Sequence, residues 1–147
     1  MKEIYTIDTF NPQRAFGRLV SRTRLVLIDR ITEKLKPLDL TAAQWGVVLH
    51  LADGSASTPA ELARIMDYDP GAMTRLIDRL ELKGFVIRAR SSADRRSIEL
   101  TLSESARALY PQILPMIVEV YNGLFKGFEK KEITQLEDLL LRVLEKE

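Results

Sequence analysis

The chain has 147 residues, with 22 lysines and arginines against 21 aspartates and glutamates, a single histidine and no cysteine. This length predicts one domain with extensions, and the hydrophobic fraction of 46% is ordinary for a globular core. The lack of cysteine excludes a disulfide framework, a thiolate metal site and a thiol redox sensor, and the lone His50 argues against histidine-rich metal centres and conventional catalytic triads. No apolar stretch approaches the roughly 20 residues of a membrane span, and the N-terminus lacks the apolar core of a signal peptide. We therefore expect a soluble, cytoplasmic binding protein without a metal or cofactor.

Basic residues are concentrated in two blocks, although the net charge of the whole chain is only +1. Residues 14–36 carry a net charge of +5 and residues 64–96 a net charge of +3, while the remaining segments are acidic. Such blocks are found on positive faces that bind nucleic acid and equally on solvated, ion-paired surfaces. The charge pattern therefore makes nucleic acid a candidate partner without establishing it.

The first third of the chain predicts an irregular arm and two helices. Residues 1–13 show no helical period, and their apolar side chains need cover, for example from a partner subunit. From about residue 13 to residue 36, apolar residues recur every three to four positions, which predicts an amphipathic helix that ends before a proline. Thr41 and Gln44 then form a capping box for a second helix, which stops at a glycine.

Two short helices follow. Thr58-Pro59-Ala60-Glu61 combines a capping box with proline at the first helical position, and Asp69-Pro70 starts the next helix with an aspartate cap and a proline. Two short helices joined by a tight turn, the second carrying Arg75 and Arg79, predict a helix-turn-helix. Helical hairpins are common, so this pattern is weak evidence by itself.

A hairpin with a basic tip is predicted directly after these helices. Residues 85–90 are rich in strand formers, and residues 97–102 alternate strictly between apolar and polar. The polar loop between them has Arg95 and Arg96 at its far side. A helix-turn-helix followed by such a ribbon is the order of a winged helix, in which a helix fits the roughly 12 Å wide major groove. The thin basic loop reaches the narrower minor groove beside it.

The last third predicts two more helices, over residues 103–128 and 131–146. Pro111 and Pro115 lie inside the first, and an interior proline costs about 3 kcal/mol or kinks the helix, so we expect a bend or break there. The leucine-rich face of the last helix is wide enough to pack in an intramolecular core or in a dimer interface. We favour the dimer interface. The predicted fold class is mainly α (α+β), a winged helix-turn-helix with N- and C-terminal dimerisation helices. Its predicted parts are an arm and dimerisation helix (1–36), a DNA-binding lobe (37–102) and C-terminal dimerisation helices (103–147).

The chain resembles the MarR family of bacterial transcriptional regulators over roughly residues 14 to 146. The segments that carry the resemblance are Leu40-Thr41-Ala42-Ala43-Gln44-Trp45, Glu61-Leu62-Ala63, residues 74–88, Asp94-Arg95-Arg96 and Leu102-Ser103-Glu104. The Leu-Glu-x-Lys-Gly stretch and the Asp-Arg-Arg wing, at this separation, are specific to the family. The first helix looks most like that of the SlyA branch.

The resemblance implies an obligate homodimer that binds a pseudo-palindromic operator in double-stranded DNA. It places the start of the recognition helix in the major groove and a wing arginine, oriented by a carboxylate, in the minor groove. The implied DNA-binding residues are Gly71, Ala72, Thr74, Arg75, Arg79, Asp94, Arg95 and Arg96. Arg79 is assigned to phosphate or intramolecular contacts, Arg95 is an alternative phosphate contact, and Asp94 is alternatively a simple cap of the wing turn. Many members have serine at the position of Ala72, so a hydroxyl contact is missing here.

Members of the family often bind small phenolic or aromatic acids between the dimer helices and the DNA-binding lobe. The resemblance makes Arg14 and Arg18 candidates to pair with a carboxylate, with Phe16 and Trp45 as apolar walls. His50 is either a lining residue of such a pocket or, as we favour, a structural histidine. Nothing in the spacing demands a ligand, and without cysteine the peroxide-sensing mechanism of some relatives is excluded.

The sequence therefore predicts a homodimeric, sequence-specific DNA-binding regulator, expected to repress its own or a neighbouring gene. Two alternatives belong to other classes. The first is a winged-helix protein-interaction module without DNA binding. Such a module need not keep basic residues at both positions, so Arg75 and Arg96 argue against it. For a small-molecule enzyme, the sequence offers neither a nucleophile–base pair nor a set of metal ligands.

Overall fold

A computed structural model describes residues 3–146. The described part has six α-helices and one antiparallel pair of strands, which confirms the predicted fold class. In chain order the elements are α1 (Phe16–Leu35), a short 3-10 helix (Lys36–Leu38), α2 (Ala42–Asp53), α3 (Pro59–Ile65), α4 (Pro70–Leu82), β1 (Val86–Arg90), β2 (Ile98–Leu102), α5 (Glu104–Leu124) and α6 (Lys130–Leu144).

Local capping signals set the starts of the three helices of the lobe. The Thr41 hydroxyl accepts the backbone N–H of Gln44 at 3.1 Å, and the Gln44 side chain accepts the backbone N–H of Thr41 at 3.1 Å. Thr58 and Glu61 form the same reciprocal box at the start of α3. Asp69 caps α4 by accepting the backbone N–H of the residue three positions on. Each cap satisfies backbone donors that a helix leaves unpaired at its first turn, and all three predicted starts are confirmed.

One hydrophobic core joins the end of α1 to α2, α3, α4, the hairpin and α5. Its largest fully buried side chains are Leu35, Val47, Val48, Leu62, Met73, Ile77, Leu80 and Ile113. Full burial of an aliphatic side chain of this size stabilises a fold by about 1.5–3 kcal/mol. Three of the eight belong to α4, so the core fixes which face of that helix points to solvent.

Two glycines stand at close contacts or turns of this fold. A Cβ atom on Gly46 of α2 would lie 2.8 Å from the terminal methyl carbon of Met66, so the Met66 side chain packs directly on the backbone of α2. Gly84 has a φ of +75°, a left-handed conformation that ends α4 and turns the chain into β1.

The structure differs from the sequence expectation at three places. α1 begins at Phe16 rather than near residue 13, so Arg14 precedes the helix. α5 runs without interruption through Pro111 and Pro115, so a break there is wrong, while the alternative, a bend, stays a prediction. Both prolines lie on the exposed side of the helix, where water can bond the carbonyl groups that lose a backbone donor. α5 also ends earlier than expected, at Leu124.

A large set of apolar side chains is left open outside the core. No residue of α6 is buried within the described chain, and its apolar face consists of Leu136, Leu139, Leu140, Val143 and Leu144. The arm exposes Ile4, Tyr5, Ile7 and Phe10, and α1 exposes Phe16, Leu19 and Val20. Apolar surface of this extent is unusual for a lone soluble chain. Within residues 3–146, no helix is both long and apolar enough to pass through a membrane.

Candidate nucleic-acid interface

The recognition helix α4 has one apolar and one polar face. Its apolar face is formed by Met73, Leu76, Ile77 and Leu80, all buried. The residues that the sequence assigned to DNA lie on the other side: Gly71, Thr74, Arg75 and Arg79 are exposed and Ala72 is half-buried. The helical period therefore places the predicted residues together on a surface that the rest of the subunit leaves open.

The first turn of α4 is built from small residues and has the Arg75 guanidinium beside it. The Arg75 guanidinium folds back over this turn. Its Nη1 atom lies 3.6 Å from the position that a Cβ atom on Gly71 would take. The same Cβ atom would lie 3.1 Å from a carboxylate oxygen of Asp69, the capping residue. The Thr74 hydroxyl donates to the carbonyl oxygen of Pro70 at 2.9 Å, as threonine often does inside helices. This turn therefore presents bare backbone and a guanidinium side by side.

The two acidic residues of α4 share one arginine that sequence reasoning missed, which offsets half of their charge. In β1, Nη2 of Arg88 lies 2.5 Å from Oδ1 of Asp78, and Nε of Arg88 lies 3.5 Å from Oε2 of Glu81. The two carboxylates are one helical turn apart, which is a spacing that one guanidinium can bridge. That spacing, followed by an arginine in the next strand, is the only signal that could have predicted the contact. The pairing joins the recognition helix to the wing.

The C-terminal end of α4 is anchored by a second contact that the sequence did not reveal. The Lys83 ammonium donates to the backbone carbonyl of Asp39 and forms an ion pair with its carboxylate at 3.2 Å. It also donates to Oε1 of Gln44 at 3.1 Å, and Gln44 itself is buried. Lys83 therefore fixes the end of the recognition helix against the start of α2.

The other basic residues of the segment 64–96 form no ion pairs of this kind. Lys83 and Arg88 are the only two of its eight bases that form ion pairs within residues 3–146. The others are exposed: Arg64, Arg75, Arg79, Arg90, Arg95 and Arg96. Only a minority of the basic side chains in this segment are therefore ion-paired. The unpaired positive charges lie on the helix-turn-helix and the wing.

The wing is a hairpin whose tip is shaped by hydrogen bonds. Its strands pair in antiparallel register from Val86 opposite Leu102 to Arg90 opposite Ile98. The carboxylate of Asp94 accepts the backbone N–H of Arg96 at 2.9 Å. No ion pair joins the two side chains in the described part of the chain. Asp94 therefore orients Arg96 through its backbone, as a cap of the turn, and not through its guanidinium group.

The residues expected around an aromatic acid have separate structural roles. Trp45 is buried in the core and stacks on Tyr110 with ring centroids 5.6 Å apart. Nδ1 of His50 lies 2.7 Å from the Ser55 hydroxyl, which favours the structural interpretation of this histidine. Arg14, Phe16 and Arg18 are exposed on the arm and the first turn of α1.

Ser55 also stabilises the end of α2. Hydrogen bonds from its hydroxyl and its backbone N–H hold the pKa of Asp53 below the ordinary value of 3.8. The cluster around His50 is thus a helix-ending turn in which the polar groups satisfy one another.

Known proteins share both the sequence and the fold. A family model described as MarR family matches residues 38–97. The multiple antibiotic resistance protein MarR of Escherichia coli (strain K12) is 34% identical over 140 residues, which cover 95% of this chain and 97% of that protein. The MarR protein of Salmonella typhimurium (strain LT2) is 31% identical over 140 residues, with the same coverage of 95% and 97%.

Solved structures extend the likeness to the arrangement of the elements. The crystal structure of wild-type E. coli MarR in its apo form matches with a TM-score of 0.78 and 33% identity, over 88% of this chain and 97% of that chain. A cysteine-to-serine mutant of E. coli MarR complexed with operator DNA matches with a TM-score of 0.81 and 33% identity, over 92% and 97%. The predicted SlyA-like branch stays a prediction. The chain belongs to the MarR family and is a DNA-binding transcriptional regulator.

Proposed function

We propose that this regulator acts as a homodimeric repressor on a pseudo-palindromic operator, with α4 in the major groove and the wing in the minor groove. The observation that carries the proposal is the division of charge on α4 and the wing. Arg88 offsets one of the two negative charges of Asp78 and Glu81, whereas the arginines on the exposed face of α4 and at the wing tip have no acidic partner within residues 3–146. This arrangement lowers the repulsion of phosphates and leaves cations to attract them.

The exposed groups suit different parts of a DNA duplex. Arg75, beside the bare backbone of Gly71, matches the bidentate acceptors of guanine in the major groove. Ala72 offers a methyl group in place of a hydroxyl, which suits the methyl group of thymine. We assign Arg96 to the minor groove, where a narrow groove concentrates negative potential. Arg79 and Arg95, with Thr74, then supply phosphate contacts, which contribute affinity but no sequence information.

A second copy of the chain supplies the second half-site contact. The open apolar faces of the arm, α1 and α6 lie outside the core of the single subunit, and pairing them with the same faces of another copy would remove them from water. Two recognition helices in such a dimer would read half-sites about 10 base pairs apart. We expect the dimer to act in the cytoplasm, where its operator DNA lies.

Footprinting on the DNA upstream of the chain's own gene tests the proposal. We expect protection of an inverted repeat, and no protection of a scrambled repeat of the same composition. If the dimer contacts six to ten phosphates, affinity should fall by about 10³–10⁵ between 50 and 200 mM salt. A reporter gene placed behind the protected site should be silenced by the protein. Equal affinity for the operator and the scrambled duplex at low salt would overturn the proposal.

The expected aromatic-acid effector is a separate part of the proposal. Repeating the footprint with salicylate tests it, because an effector must bind one state of the dimer better than the other to release DNA. Since Trp45 is buried under Tyr110 and His50 is bonded to Ser55, a ligand would have to use Arg14 and other exposed groups. Unchanged protection at saturating salicylate would overturn this part alone.

A further inference from the structure

Ser91 is a buried residue in an otherwise exposed loop. It follows β1 directly and its side chain is 7% exposed, whereas residues 92–96 are all exposed. Within residues 3–146, Ser91 and Gln44 are the two buried polar side chains. A buried hydroxyl must find hydrogen-bond partners or lose stability, so its contacts show what it does.

The Ser91 hydroxyl binds three groups around the wing. It accepts the backbone N–H of Ala93 at 3.2 Å and that of Asp94 at 3.4 Å, and it donates to Oε1 of Glu99 at 3.1 Å. Glu99 lies in β2, so this one oxygen connects the start of the loop, its tip and the second strand. The backbone N–H of Ser91 also donates to the carbonyl oxygen of Ser97 at 2.9 Å, which closes the loop at its base.

These contacts lead step by step to the wing arginine. Ser91 accepts the N–H of Asp94, and the carboxylate of Asp94 accepts the N–H of Arg96 at 2.9 Å. The side chains of residues 92–96 are exposed, so the shape of the loop depends on these bonds and not on burial. A loop that is already ordered in the free protein loses less conformational entropy when it binds.

We propose that Ser91 is a positioning residue of the DNA interface, which holds the wing loop in the conformation that presents Arg96 to the minor groove. The proposal rests on the proposed function, because it assigns a role within that interface. Ser91 acts through Asp94 and Arg96, and its buried hydroxyl touches no DNA itself.

The neighbouring serine supplies a matched control. Ser91→Ala removes the buried hydroxyl, and Ser92→Ala removes an exposed one that lies one position further on. Fluorescence anisotropy with the footprinted operator should show that Ser91→Ala weakens binding about tenfold, which corresponds to the loss of one or two ordinary hydrogen bonds. Ser92→Ala should bind within about twofold of the wild type. The dependence on salt should be the same for Ser92→Ala and the wild type, because this change leaves the wing loop ordered.

A double-mutant cycle separates positioning from a general effect on stability. If Ser91 acts through Arg96, then Ser91→Ala should cause no further loss in an Arg96→Ala background. The same loss in both backgrounds, or a loss no larger than that of Ser92→Ala, would overturn the proposal. Should Ser91→Ala fail to fold, the pair Ser91→Thr and Ser91→Val makes the same comparison, since the two side chains have similar shape and differ in the hydroxyl.

Amide hydrogen exchange tests the order of the wing without DNA. In the free protein, Ser91→Ala should speed exchange at the amides of Ala93 and Asp94 about tenfold and leave the amides of α4 unchanged. Unchanged exchange at these two amides would overturn the proposal. A wild-type protein that ignores the operator would instead overturn the proposed function, so the two failures are distinguishable.

Discussion

Arg88 and Asp78 connect α4 to the first strand of the wing. Nη2 of Arg88 in β1 lies 2.5 Å from Oδ1 of Asp78 in α4, and the same guanidinium reaches Glu81 one turn further along the helix. One side chain thus performs two tasks at once. It offsets half of the negative charge of Asp78 and Glu81, and it links the recognition helix to the strand that leads into the wing.

Replacing Arg88 should weaken DNA binding more than it weakens the fold. We expect Arg88→Met to reduce operator affinity about tenfold, because Asp78 and Glu81 would then repel phosphates at short range. The free energy of unfolding should fall by at most about 1 kcal/mol, because a partly exposed ion pair is screened by solvent. Anisotropy and urea denaturation measure the two effects. Arg107→Met, which removes an exposed arginine of α5 with no ion pair within residues 3–146, is the control.

The repulsion between these carboxylates and DNA can be tested separately from the loss of the ion pair that links α4 to β1. Adding Asp78→Asn to Arg88→Met removes one of the two uncompensated charges and should recover part of the lost affinity. A double variant that binds no better than Arg88→Met would show that charge on the recognition helix does not matter for binding.

Arg75 should contribute to the sequence preference of DNA binding, and Arg79 to affinity for DNA of any sequence. We expect Arg75→Ala to cost about 1–3 kcal/mol and to relax the preference at one base pair, because it removes a base contact. Arg79→Ala should weaken binding equally for all sequences and lower the salt slope by about 1, because it removes a phosphate contact. A panel of operators with single base-pair changes, titrated at several salt concentrations, measures both quantities. Relaxed base preference in Arg79→Ala at an unchanged slope would reverse the two assignments.

Glu61 should make the stability of the fold sensitive to acid. Its carboxylate accepts the backbone N–H groups of Ser57 at 2.7 Å and of Thr58 at 3.1 Å, and these bonds, that of Ser57 first, hold its pKa below the ordinary value of 4.5. A carboxyl group with a lowered pKa in the folded state stabilises the fold above its unfolded pKa and loses that effect as the pH falls through the folded value. Wild type should therefore exceed Glu61→Gln in stability at neutral pH.

Urea denaturation across the acid range checks the sign of this effect. The difference between wild type and Glu61→Gln should shrink as the pH drops below 4.5, where the carboxyl group takes up its proton. Glu137→Gln, an exposed change of the same kind on α6, controls for the loss of a charge. A difference that grows toward acid pH would contradict the prediction.

Local signals predicted the helices of the lobe well. The caps at Thr41, Thr58 and Asp69 involve partners only three residues away, so the sequence pattern shows them directly. The exposed face of α4 follows from the helical period for the same reason. These short-range rules are enough to place Arg75 on the exposed side of α4.

Contacts between distant residues were not predictable in this way. The partners of Lys83 at the start of α2 lie about forty positions earlier in the chain, and periodicity indicates which side chains are exposed but not which charges meet. The burial of Ser91 has no sequence signal, since a serine in a polar loop is ordinary. Packing also overruled a local rule: the buried Ile113 and Ile117 hold α5 together through two prolines, so the predicted break was wrong.

The apolar face of α6 should be required for assembly of the dimer. Leu139 is 46% exposed in the single subunit, and Leu82 at the end of α4 is 88% exposed. We expect Leu139→Glu to yield a monomer, because a carboxylate in an apolar interface would have to be desolvated without a partner. Leu82→Glu should remain a dimer, since it places the same charge on a surface outside the proposed interface. Light scattering coupled to size exclusion measures the mass of each, and anisotropy should show that the monomer loses most of its operator affinity because its half-sites are no longer linked. A dimeric Leu139→Glu with full operator affinity would place the dimer contact elsewhere.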